Sequence, residues 1–170
     1  KSDLLDRVIR HGTIAALLFT ALAHGAVEPW SLAVFELIVM TLVFLWGVKV
    51  LVDRHLEITI PAAIVPILGL LLLGVVQSVA FTGTEGQRVS LSMDVEATRH
   101  AVTTLAFLTA AFLLAANFIV TKDRLIVLGR FLTGFGTLLA LFALVQYMTL
   151  DHRLYWLRST PYSVFGPFVN

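Results

Sequence analysis

From Trp30 to Val52 the chain carries only Glu36 and Lys49 as charged residues. Wound as an α-helix, that stretch is about 35 Å long, and a helix of about 20 apolar residues crosses the hydrocarbon core of a bilayer. Comparable blocks run from about Val8 or Thr13 to Val27, from Ile60 to Phe81, from Arg99 to Thr121 and from Leu125 to Thr149. Charged residues make up 14% of the chain, against about 25% in an ordinary globular domain. Too few charges remain to cover a water-facing surface. The blocks are too long for buried strands, and none alternates apolar and polar as a membrane barrel strand does. Helices are then the way to satisfy the backbone in hydrocarbon. The expected fold is all-α: a polytopic transmembrane bundle of five spans forming one domain, with residues 150–170 as an interfacial segment.

Lysine and arginine set the expected direction. Lys1, Arg7 and Arg10 precede the first span, Lys49 and Arg54 lie at the second turn, and Lys122, Arg124 and Arg130 at the fourth. Arg88, Arg99, Arg153 and Arg158 fall on the other side. The bias places the N-terminus in the cytoplasm and Asn170 outside. A second reading of the first block is a signal peptide, because Ala21-Leu22-Ala23 has the small-x-small form of a cleavage site. Asp3 and Asp6 in its leading segment favour a retained helix.

Small residues suggest close helix packing. Ala106/Ala110 and Ala111/Ala115 have small-xxx-small spacing in the fourth span, Gly69 and Gly74 lie in the third, and Gly129, Gly134 and Gly136 in the fifth. The polar stretch Thr82–Thr98 reads as the longest loop, with Ser92 or Asp94 as a helix cap and Glu96 in the first turn. In the tail, Tyr147, Tyr155, Trp156 and Tyr162 are interfacial residues, and Pro161 and Pro167 stop regular helix. That segment is expected to lie along the outer membrane surface.

Polar residues sort by depth. Glu36, Gln77, Ser78, Arg99, His100 and Gln146 lie near the outer ends of the spans, with His24 and Glu28 beyond them. Lys49, Asn117 and Arg130 at the inner ends read as interface anchors. An ionisable group within a span is a functional candidate. Glu36 is one, although its carboxylate is also within reach of the headgroups. Arg99 offers a planar fork suited to phosphate, or it anchors its helix to headgroups. The histidines His11, His24, His55, His100 and His152 show no metal-ligand spacing, so no metal is expected. The chain has no cysteine, hence no disulfide and no thiolate site. A net charge of +1 gives no basic patch for nucleic acid. No P-loop, nucleotide fingerprint or nucleophile elbow is present.

The tail then adds a resemblance. Gln146-Tyr147, Tyr155-Trp156 and the run Phe165 to Asn170, "FGPFVN", resemble the O-antigen ligase and O-antigen polymerase family of bacterial membrane glycosyltransferases. In many members a phrase of the form F-G-x-F-V-N-x-N-H-F-A-G leads into the next span. "GAVEPWS" (Gly25 to Ser31) and "MDVEATRHA" (Met93 to Ala101) look like the family's first and third outer loops. The resemblance implies that this chain is the N-terminal part of a larger, GT-C-like protein of roughly a dozen spans in the bacterial inner membrane. It implies a metal-independent transfer, without cofactor, of a glycan from an undecaprenyl-diphosphate carrier. The acceptor would be lipid A core, another glycan or a protein, in polysaccharide or lipopolysaccharide synthesis for the cell envelope. Catalytic residues are expected beyond Asn170. Within the chain the candidate substrate-binding residues are Arg99, His100, Glu36, Gln77, Gln146 and Asn170. The alternative is a non-enzymatic bundle, a transporter or structural subunit. Transporters more often place broken helices and ionisable groups at mid-membrane, and the centres of the last three spans carry no charge.

Overall fold

The computed structural model describes residues 2–23, 28–82, 88–119 and 121–149, together with four short strands between 153 and 169. Five helices dominate it: α1 (Ser2–Leu22), α2 (Pro29–Asp53), α3 (Ile64–Ser78), α4 (Val95–Phe118) and α5 (Lys122–Thr149). By length and composition α2, α4 and α5 are long and apolar enough to cross a membrane, which is compatible with a membrane protein. α1 is charged through its first half, with Asp3, Asp6, Arg7 and Arg10. α3 has only 15 residues, about 22 Å of helix, against a hydrocarbon core of about 30 Å.

The reason α3 is shorter than the expected block lies at its two ends. Pro61 and Pro66 lack amide hydrogens, and Ile64 and Val65 instead bond the carbonyls of Pro61 and Ala62 at 2.9 and 3.2 Å. This tight turn starts the helix late. At the other end Val79 is extended, and Ala80–Thr82 becomes strand β1, paired antiparallel with β2 (Arg88–Ser90). The stretch read as loop therefore begins as a hairpin.

α1, α2 and α4 share one core. α1 contributes Ile9, Thr13 and Ala16, a stripe at helical spacing, and α2 contributes Ser31, Phe35, Val39 and Leu42. Leu114 and Phe118 of α4 complete it. The buried hydroxyls are satisfied locally: Thr13 donates to Ile9 O and Ser31 to Glu28 O, both at 2.8 Å. The glycine at position 12 sets how closely α1 approaches α2, since a Cβ there would lie 2.5 Å from Leu42 Cδ2. Trp46 meets Phe118 edge to face at 5.8 Å.

α3 packs on α4, where the backbone of Gly74 lies directly against the Val102 side chain. This is the close approach expected of a small residue. α5 differs. Gly129, Gly134 and Gly136 face open space, and its buried residues are Ala143 and Gln146 near the C-terminal end. The expectation that the glycines of α5 tighten a compact bundle is therefore corrected: α5 stands away from the shared core. In α4, Ala110, Ala111 and Ala115 are half-buried but Ala106 is exposed, so Ala106 does not serve the close-packed face.

Beyond α5, β3 (Arg153–Leu154) pairs antiparallel with β4 (Arg158–Ser159), and β5 (Val164–Phe165) with β6 (Phe168–Val169). β5 returns to pack along α5. The anchors Tyr155, Trp156 and Tyr162, the two tail prolines and Asn170 lie outside the described residues. So do His24 and residues 25–27, between α1 and α2.

Candidate functional site

The helices alternate in direction, and the contacts between them fix which ends lie together. Lys49 near the end of α2 pairs with Asp6 near the start of α1 at 3.5 Å, and with Asp53 at 2.8 Å. The segment leading to α3 meets the end of α4 through Asn117 and Thr59. At the opposite end Phe19 of α1 contacts Trp30 of α2 edge to face at 6.3 Å, and Gly74 meets Val102. Leu128, Leu132 and Phe135 of α5 line the same hollow as Thr104, Leu108 and Ile119. α5 therefore folds back beside α4.

This arrangement gathers Glu36, Gln77, Arg99 and His100 at one end of the helices, while Gln146 lies near the C-terminal end of α5. Arg99 and His100 stand exposed about a turn inside the start of α4, Glu36 and Gln77 are half-buried, and Gln146 is buried. The start of α4 is built locally. The Asp94 carboxylate accepts from the Ala97 amide at 2.9 Å, so of the two candidate caps, Ser92 and Asp94, it is Asp94 that caps the helix. Ser92 Oγ receives the Asp94 amide at 3.2 Å and lies 2.6 Å from Thr98 Oγ1. Thr98 in turn donates to Asp94 O at 2.8 Å. That network fixes the turn from which Arg99 and His100 project.

Glu36, Gln77, Arg99 and His100 share an end without forming a closed constellation. Among the described residues, no hydrogen bond or ion pair joins Arg99, His100, Glu36 or Gln77 to one another, and Arg99 is in no ion pair at all. A forked, permanently charged donor without a carboxylate partner is chemically available to an anion. Among the described residues no group of three histidine or carboxylate side chains is placed to hold a metal.

The other end holds residues whose role the sequence understated. Lys49 is an ion-pair centre between α1 and α2. Asn117 Oδ1 accepts from the Thr59 amide at 2.7 Å while its Nδ2 donates to Thr59 O at 3.1 Å and to Leu113 O at 2.8 Å. Polar residues at helix ends signal such clamps only weakly, because the partner is a backbone distant in sequence.

A cavity of about 680 Å³ opens between α1, α2, α4 and α5, lined almost wholly by apolar side chains. Thr104 Oγ1 is buried on its wall without a hydrogen-bond partner among the described residues. A smaller hollow of about 480 Å³ adjoins it and is lined by Arg10, His11, Asp123 and Arg124 with apolar neighbours. Glu36, Gln77, Arg99, His100 and Gln146 line neither space. Comparison with protein-family models, with curated proteins and with solved structures finds no match to this chain.

Proposed function

We propose that the chain is the N-terminal part of a bacterial membrane glycosyltransferase similar to the O-antigen ligases and polymerases. It acts at the outer face of the inner membrane, moving a glycan from an undecaprenyl-diphosphate carrier to lipid A core, another glycan or a protein. One observation supports this reading beyond the tail motif. Arg99 stands exposed and outside any ion pair among the described residues, at the end of the helices where Glu36, Gln77 and His100 also lie. A lipid-linked donor reaches such a place sideways through the bilayer, with its diphosphate at headgroup level. The guanidinium fork binds that diphosphate and stabilises the negative charge that grows on it as the sugar departs. The amide and imidazole nearby suit the hydroxyls of a glycan.

The reading is tested with the full-length protein in proteoliposomes, supplied with a purified lipid-linked glycan and a candidate acceptor. Glycan transferred to the acceptor with release of undecaprenyl diphosphate supports it. Intact donor across the whole acceptor panel, with the protein folded in the membrane, overturns it.

A further inference from the structure

The cavity beside α5 has an apolar body and a basic end. Leu17, Phe35, Ala111, Phe112, Leu132 and Phe135 are among its walls. Its lining along α4 extends from Thr104 to Ile119, about 22 Å at the rise of a helix. One leaflet of hydrocarbon is half of about 30 Å thick, so the groove has the length for an extended acyl chain. Its volume of about 680 Å³ falls within the range of about 300–1,000 Å³ usual for small-ligand sites. The groove meets the smaller hollow at shared residues Ile14, Ile119 and Leu128.

The rim of that hollow carries Arg10 from α1 and Arg124 from α5, with His11 and Asp123 beside them. Neither arginine is in an ion pair among the described residues. Arg124 is held at the α4–α5 corner by donating to Phe118 O at 3.2 Å, leaving its other hydrogens to a ligand. His11 Nδ1 is engaged with its own helix at Arg7 O, 2.6 Å away. With histidine neutral, the two arginines against the one carboxylate leave the rim positive.

We infer that this groove binds an anionic glycerophospholipid, with one acyl chain along α4 and α5 and its phosphate between Arg10 and Arg124. Charge complementarity commits the occupant: an apolar trough ending at two arginines matches a lipid of one negative charge. Basic pockets between membrane helices bind anionic headgroups for the same reason. The inference concerns the end of the helices opposite Arg99, and it stands whether or not the chain belongs to a transferase.

The test uses the full chain purified in detergent and mixed with phosphatidylglycerol or phosphatidylcholine, with bound lipid counted by native mass spectrometry. Retention of phosphatidylglycerol over phosphatidylcholine by about tenfold or more is expected from a charge-assisted pair of contacts. Arg10→Gln with Arg124→Gln abolishes the preference, whereas Asp123→Asn, on the same exposed rim, strengthens it. A photoactivatable acyl chain on phosphatidylglycerol labels residues of α4 and α5 that face the groove. Equal retention of the two lipids overturns the inference, as does a preference untouched by the double substitution. Cross-linking of a second copy through cysteines at Ala111 and Leu132, with no lipid label there, also overturns it.

Discussion

The side chain of Asn117 brackets the backbone of Thr59, accepting from its amide at 2.7 Å and donating to its carbonyl at 3.1 Å. These residues stand 58 positions apart, and their pairing ties the extended segment before α3 to the end of α4. Asn117→Leu keeps the bulk but removes both bonds to Thr59 and the one to Leu113 O, at about 1 kcal/mol each. Thermal unfolding in detergent should shift downward, with faster amide exchange at residues 55–60. Asn117→Asp keeps the acceptor but turns a carboxylate oxygen on the Thr59 and Leu113 carbonyls at the end of α4, so it should not recover the loss.

Gly74 and Val102 provide a second check on the packing. A β-carbon at position 74 has no room against the valine. Gly74→Val should therefore destabilise the protein by about 1–3 kcal/mol, as overpacking does. Val102→Ala in the same chain should restore part of the loss, and a double-mutant cycle on thermal stability reads the coupling. Additive effects would mean that α3 and α4 do not meet there.

The Asp94 cap gives a local test. Asp94→Ala removes the acceptor of the Ala97 amide and should cost about 0.5–2 kcal/mol, read as lost stability in the same melt. Asp94→Asn should be nearly neutral because its side chain still accepts.

What could be read from the residues follows the range of the interaction involved. Asp94 was legible as a cap because its partner is three residues away, and α2, α4 and α5 were legible because apolar length alone marks them. The hairpin of β1 and β2 was not, since three-residue strands carry no periodicity to read. The late start of α3 depends on turn bonds around Pro61 rather than on hydropathy. Asn117 read as an anchor because nothing local points to Thr59. The common end of Glu36, Gln77, Arg99 and His100 follows the depth order of the sequence, whereas the wide hollow beside α5 needed the relative placement of four helices.

Orientation has its own test, made simple by the absence of cysteine. Single cysteines introduced as Thr84→Cys and Thr121→Cys should react differently with an impermeant reagent added outside. The bias of basic residues predicts labelling at 84 and protection at 121. The reverse pattern would invert the topology and move Arg99 to the cytoplasmic side.

The central claim is that Arg99 binds the donor diphosphate, and the measurement closest to it is glycan transfer by Arg99→Lys. The assay uses purified lipid-linked donor and is normalised to protein in the membrane. Anchoring to headgroups needs only a long side chain with a charge, which lysine supplies. A diphosphate contact needs the fork, and losing a charge-assisted hydrogen bond of about 1.5–3 kcal/mol lowers donor use about 10- to 150-fold. Arg99 is exposed, so the variant should fold and insert normally. A fall of that size is expected in Arg99→Lys, and a deeper one in Arg99→Ala. Wild-type transfer by Arg99→Lys would contradict it and leave Arg99 as an anchor.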